Sequence, residues 1–316
     1  MKKYKVGLLG VGGITTRHIP NWRLVENAEL VAMCDIRPEQ MEPYPDVRHY
    51  TDFDDMINNE QLDILDIALP TYLHVQYAAE ALKRGLHVFC EKPISLEPDD
   101  VYYLYDLAAK NNCCFMVGQS VRFGNNYQML RTIVKDGRYG KLLSGHMQRL
   151  SAMPNWSWDG WMQDESRSGG VPFDLHIHDL DFMIYTFGKP KSHTSLRTKQ
   201  PGKDYIQATY YYDDFFITIE ASWYGCPYPF RGGFRFQFEK AVVNWDKLAQ
   251  AIYLENGEVI DLSQPDAEEK LGVSLDNTPN HLCEFRYFVD CIDKGVPADM
   301  IKPEELKAVL DIIKTL

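Results

Sequence analysis

Five short, almost unbroken apolar runs punctuate the first 120 positions: Lys5–Leu9, Leu30–Cys34, Asp63–Ala68, His87–Cys90 and Cys114–Val117. Stretches with helical periodicity lie between them, at Ile14–Leu24, Tyr72–Arg84 and Asp99–Asn111. A strand that is apolar on both faces must be covered on both, and parallel strands need a crossover running back along the sheet. Helices meet both demands. The alternation therefore predicts βαβ units around a buried parallel sheet. Gly85 fits a helix C-cap and Pro98 a first helical turn.

Beyond residue 120 the pattern changes. A helix is expected over Asn126–Lys135, ended by Asp136-Gly137, and a loop carrying Trp156, Trp158 and Trp161 follows. A second helix is expected from about Val171 to Phe187, closed by Gly188. From Ser192 to Asp261 the chain reads mainly as strands, among them Tyr205–Tyr212, Phe215–Trp223, Phe234–Phe238 and Ala241–Trp245, with Asp213-Asp214 as a hairpin turn. Strands without helices between them imply an antiparallel or mixed open sheet. Helices over Pro279–Lys294 and Pro303–Leu316 finish the chain. With 316 residues, two domains are expected, 1–120 and 121–316, the last helices packing back toward the first domain.

Composition removes several function classes. The formal net charge of −12 disfavours a polyanion such as nucleic acid, which needs a clustered basic surface. No run approaches the roughly 20 apolar residues that span a bilayer, so no membrane partner is expected. The opening MKKYKVGLLGVGGI is broken by glycines and lacks a small-residue cleavage site, unlike a secretory signal. Seven cysteines without a C-x-x-C pair point to a reduced, cytoplasmic protein with neither a disulfide framework nor a zinc-ligand spacing.

The turn after the first strand reads Gly10-Val11-Gly12-Gly13-Ile14-Thr15, a G-x-G-x-x-T pattern opening a helix. Gly10 permits the tight turn, and Gly12 lets backbone approach a pyrophosphate at the helix N-terminus. Thr15 replaces the usual Gly or Ala. Asp35 ends the second strand, 25 residues after Gly10, where a carboxylate hydrogen-bonds the adenosine ribose. That carboxylate favours NAD. Arg37, two residues on, could instead hold the 2′-phosphate of NADP, so both dinucleotides stay open.

Four segments resemble the Gfo/Idh/MocA oxidoreductases: this glycine turn, Ala68-Leu69-Pro70-Thr71-Tyr72-Leu73-His74, Glu91-Lys92-Pro93, and Gly169-Gly170-Val171-Pro172-Phe173-Asp174 running through His178 to Asp181. The resemblance implies an α/β fold: an N-terminal Rossmann domain with a parallel sheet, then a C-terminal α/β domain with a large open, mainly antiparallel sheet. It implies a sugar, inositol or related polyol bound between them beside the nicotinamide, and homodimers or homotetramers built through the C-terminal sheet. Gly10, Gly12, Gly13, Ile14, Asp35, Arg37, Leu69, Pro70, His74, Glu91 and Lys92 are then the cofactor-side residues.

Alcohol oxidation needs a base for the hydroxyl proton, and histidine titrates near neutrality. His178 lies four residues after Asp174, which on a helix puts both on one face. In the family the matching His transfers the proton and the matching Asp orients it. An ammonium at Lys92 would stabilise a developing alkoxide; the sequence leaves open whether Lys92 or His178 moves the proton, and taken singly Lys92 could be a surface lysine and His178 a satisfied helix histidine. Arg122, Asp181 and His281 join Lys92, Asp174 and His178 as substrate-side candidates, with ordinary ion pairs as the alternative for Arg122 and Asp181. His176 stands where the family often has Gly, and helical spacing turns it away from His178, so no metal site is expected. The tryptophan loop either faces a sugar ring or simply packs. Three functions of different kinds follow: a polyol or sugar dehydrogenase, an NAD-dependent glycoside hydrolase on the same scaffold, and a non-catalytic dinucleotide-binding regulator.

Overall fold

A computed structural model describes residues 2–316. The chain divides into two compact units, one formed by the residues up to Ser120 with Pro279–Lys307, the other by Val121–Thr278 with Ala308–Leu316.

The first unit contains β1 (Tyr4–Leu9), α1 (Thr15–Trp22), β2 (Ala28–Cys34), β3 (Arg48–Tyr50), α2 (Phe53–Asn59), β4 (Ile64–Ile67), α3 (His74–Lys83), β5 (His87–Glu91), α4 (Asp99–Lys110) and β6 (Phe115–Gly118). All neighbours in its sheet run parallel, in the order β3-β2-β1-β4-β5-β6. That is the doubly wound arrangement, with its change of direction between β1 and β4, where such sheets open a crevice for ligands. β3 and α2 were not expected; three residues of mixed exposure, Arg48-His49-Tyr50, carry no apolar run.

The second unit contains α5 (Asn125–Asp136), β7 (Leu142–Ala152), a single turn α6 (Glu165–Ser168), α7 (Ile177–Phe187), β8 (Ser192–Gln200), β9 (Lys203–Tyr211), β10 (Phe216–Tyr224), β11 (Arg231–Phe238), β12 (Ala241–Trp245), β13 (Gln250–Leu254), β14 (Val259–Asp261) and α8 (Ala267–Leu271). Its eight-stranded sheet is ordered β14-β13-β12-β11-β7-β10-β9-β8, antiparallel except for β7 beside β10. β7, the longest strand, escaped the sequence reading because His146, Gln148 and Arg149 interrupt its apolar pattern. One face of the sheet is buried by alternate residues such as Ile206, Ala208 and Tyr210 of β9.

Two helices complete the chain, α9 (Asn280–Lys294) and α10 (Pro303–Ile313). α9 lies within the first unit. The indole of Trp22 in α1 stacks on Phe285 of α9 at 4.1 Å and 9°, and Phe89 meets Phe285 edge-on at 5.0 Å. Both Trp22 and Phe285 are fully buried. Phe285→Ala is expected to cost about 3–5 kcal/mol as a large cavity opens against Trp22. A fall in thermal midpoint would register it, and a loss below about 1 kcal/mol would mean that α9 is not part of this core.

Candidate active site

The glycine turn lies at the end of β1. Gly10 has φ of +89°, and a Cβ there would come within 2.7 Å of the Ala68 carbonyl oxygen. Both conformation and contact demand glycine. Its N–H donates to Cys34 O at 2.8 Å. Around Gly12 a Cβ would meet nothing within 4 Å, so its backbone faces open space as a bound pyrophosphate requires. Thr15 is accommodated by donating its hydroxyl to Gly12 O at 2.6 Å. Asp35 accepts the Val11 N–H at 2.8 Å and that of Arg37 at 2.8 Å, and the Arg37 guanidinium lies against the same carboxylate. Gly13, Ile14, Leu69 and Pro70 flank this turn in sequence or across it, and the residues present fit a dinucleotide.

Three of the cofactor- or substrate-side candidates have polar side-chain atoms engaged within this unit. The His74 imidazole is buried with one ring nitrogen on Pro93 O and the other on Leu69 O, each at 2.8 Å. Burial holds the ring below the usual histidine range, and the one N–H of the neutral ring can donate to either carbonyl. The Glu91 carboxylate turns inward: Oε1 meets His18 Nε2 at 3.0 Å and Oε2 accepts the Lys92 N–H at 3.1 Å. His281 lies in α9, 5.4 Å from the His18 ring, with its Nδ1 3.4 Å from Glu284. Lys92 itself is half-buried and precedes a cis bond to Pro93.

The sequence reading missed the group that organises this end of the sheet. Asp66, buried in mid-strand, accepts from His18 Nδ1 at 2.8 Å and from Trp22 Nε1 at 2.7 Å. Burial disfavours a charged His18, but the charges and hydrogen bonds of Asp66 and Glu91 outweigh it and raise the ring to about 10. Burial likewise opposes ionisation of Glu91, yet its hydrogen bond to His18 and the charge of that ring hold it at about 2. An imidazolium therefore lies between two carboxylates at neutral pH. A legible signal existed: the carboxylate in the run Ile64-Leu65-Asp66-Ile67 has no place in a buried strand without a partner.

In the second unit, Gly169 and Gly170 take φ of +75° and +68°. A Cβ on Gly169 would strike the Phe173 ring at 2.3 Å, and one on Gly170 would crowd Arg197 and Asp204. A π-helical turn, Pro172–His176, follows and leads into α7. The helix expected from about Val171 to Phe187 is thus present with a π-helical first part; such turns widen a helix locally and recur at functional sites. Within Val171–Ile184 every residue is buried except Asp174 and His178, which emerge together. His176 is buried, with Nε2 2.7 Å from Tyr210 OH, and burial drives its ring down to about 3.

Arg122 and Asp181, substrate-side candidates with an ion pair as the alternative, are engaged with each other. Arg122 Nε and Nη2 donate to the two Asp181 oxygens at 2.7 and 2.6 Å, both side chains wholly buried. Arg149 holds Asp179 in the same way, at 2.8 and 3.3 Å. Of the tryptophans, Trp156 and Trp158 are exposed and Trp161 packs on the cluster of Met162, Val171, Leu175 and Trp223. An open cavity of 830 Å³ is lined by Met153, Asn155, Gln163, Tyr224 and Cys226, none of them a residue singled out from the sequence.

The His18 cluster makes stability depend on pH. His18 is raised from 6.5 to about 10, so what it contributes is complete below about pH 6.5 and is lost as pH climbs through about 10. Glu91 is lowered from 4.5 to about 2, so its contribution stands above about pH 4.5 and disappears as pH falls through about 2. Between pH 7 and 10 the unfolding free energy is expected to fall with a slope of up to roughly 1.4 kcal/mol per pH unit. His18→Gln should flatten that slope in denaturant titrations; an equal slope in both proteins would contradict a buried cation.

Comparison with known proteins agrees with this geometry. The GFO_IDH_MocA model, described as an oxidoreductase family with an NAD-binding Rossmann fold, matches residues 4–119, and the GFO/IDH/MocA C-terminal domain matches residues 127–243. The chain is similar to myo-inositol 2-dehydrogenase of Thermotoga maritima, 29% identical over 58% of this chain and 55% of that protein. It is also similar to 2,7-anhydro-N-acetylneuraminate hydratase of Escherichia coli, 28% identical over 58% and 49%. The match thus spans about half the length of these curated relatives. Among solved structures, the WlbA dehydrogenase from Bordetella pertussis in complex with NADH and UDP-GlcNAcA superposes with a TM-score of 0.82 at 20% identity, covering 99% of this chain and 94% of that one, and so shares the fold. The two halves match two successive domains of one family: the chain belongs to the Gfo/Idh/MocA oxidoreductases, and its first unit is an NAD-binding Rossmann domain.

Proposed function

We propose that the protein is an NAD-dependent dehydrogenase or reductase acting on a CH–OH group of a sugar, inositol or related polyol, with Lys92, Asp174 and His178 as its catalytic residues. The observation that carries this reading is the paired emergence of Asp174 and His178 from a segment otherwise buried from Val171 to Ile184. NAD supplies the site at nicotinamide C4 that accepts or returns the hydride. His178 takes the hydroxyl proton during oxidation and gives it back during reduction, and Asp174 orients the imidazole. The Lys92 ammonium stabilises negative charge on the substrate oxygen. The names of the similar proteins support a carbohydrate or polyol substrate.

The hydratase among the relatives favours keeping a second outcome, transient oxidation followed by elimination and addition with no net change in the dinucleotide. Accumulation of NADH separates a net dehydrogenase from that outcome. A reduced compartment such as the cytoplasm suits seven free cysteines. Assembly into dimers or tetramers through the second sheet is supported by the exposed Leu196, Tyr211, Phe216, Tyr253 and Val259 on its strands.

A panel of inositols, aldoses and ketoses, followed at the nicotinamide absorbance, identifies the substrate. With it, His178→Ala and Lys92→Met are each expected to lower kcat at least 100-fold, the upper effect of a lost general base or charge stabiliser being about 10⁴. NADH affinity should change less than twofold. A Lys92→Met variant that lost turnover yet kept the cell-level function would favour the regulator, and equal loss of NADH binding and turnover in His178→Ala would mark that residue as structural.

A further inference from the structure

The buried groups that meet at Glu91 do more than satisfy one another. Asp66 in β4 holds His18 Nδ1, His18 Nε2 holds Glu91 Oε1, and Glu91 Oε2 accepts the N–H of Lys92, at 2.8, 3.0 and 3.1 Å. This is one continuous chain of hydrogen bonds from the middle of a buried strand to the backbone of the residue assigned above to the substrate oxygen. We propose that His18 is a positioning residue for Lys92: it fixes the Glu91 carboxylate, and Glu91 fixes the backbone from which the Lys92 side chain is presented. The proposal rests on the reading of Lys92 as a reacting group.

Burial and charge favour this role over contact with ligand. His18 and Asp66 are entirely inaccessible, so neither touches substrate. Both ring nitrogens of His18 are committed to carboxylate oxygens, and the ring is packed edge-on by Phe89 and Phe285 at 5.9 and 5.1 Å. A carboxylate anchored at both oxygens cannot rotate, and its anchors lie on different elements, α1 and the end of β5. Glu284 in α9 serves as an internal contrast. It is also buried, but its imidazole neighbour is His281, with Nδ1 at 3.4 Å, and burial pushes it up to about 7. Without His18, Glu91 would face the same burial beside Asp66, His281 and Glu284, and would lose the charge that makes it a strong acceptor.

The test needs no substrate. The half-buried Lys92 amine is labelled competitively with acetic anhydride in the ligand-free protein, and its rate is read by mass spectrometry against exposed lysines such as Lys3 and Lys135. His18→Gln should change the relative rate of Lys92 at least threefold. In a Glu91→Ala background the same substitution should add no further change, because the path through Glu91 is already broken. If His18→Gln does not fold, Asp66→Asn replaces it: its amide oxygen still accepts from Trp22, and a smaller change of the same sign is expected. An unaltered Lys92 rate, or effects of His18 and Glu91 that multiply, would overturn the positioning role. Should Lys92→Met retain full turnover, the assignment of Lys92 to the chemistry falls, while the labelling rates still decide whether His18 sets its position.

Discussion

A buried charge must be answered by another, and at the carboxyl end of the first sheet that requirement fixes the geometry. The His18 imidazolium, one turn into the helix that follows the glycine turn, is answered by Asp66 on one side and Glu91 on the other. Its two bonds tie α1 to two strands at once. The helix that follows the glycine turn and the strand that precedes Lys92 are therefore held by the same ring. Removing either carboxylate leaves a cation in an apolar wall of Phe89 and Phe285, a far larger penalty than loss of a surface pair.

The second unit uses ionic groups in the same manner. Asp179 and Asp181 stand on α7 among buried neighbours, and each is matched by an arginine, Arg149 from β7 and Arg122 from the segment before α5. His176 is tied to Tyr210 of β9. Once these groups are bound internally, the polar side chains left to meet solvent on this stretch are Asp174 and His178. The helix is thus anchored on its inner faces, while Asp174 and His178 keep partial exposure.

Much of this was legible before any coordinates. The five core strands of the first sheet were visible as apolar runs because parallel strands are buried on both faces. The glycine turn was visible because its backbone tolerates no side chain at Gly10. Asp174 and His178 were singled out through their motif, though the turn carrying Asp174 is π-helical, which four-residue spacing cannot reveal. What stayed hidden were partnerships across long sequence distances. Nothing local in Val121-Arg122-Phe123 says that Asp181, 59 residues on, will consume the guanidinium. Nor does the start of α9 announce that His281 belongs with His18. The side-chain partners of Arg122, His74 and Glu91 stayed hidden for one reason: motif position names a neighbourhood, and only packing decides which way a side chain turns.

The claim on which the functional account stands is direct hydride transfer at a carbinol carbon. NADH carrying deuterium at C4 of the nicotinamide, incubated with the protein and the keto forms of the inositols and sugars, tests it by mass spectrometry of the reduced product. The account predicts one deuterium on the new carbinol carbon, unaffected by solvent isotope. Hydrogen drawn from solvent at that carbon, with the label left on the nicotinamide, would contradict it.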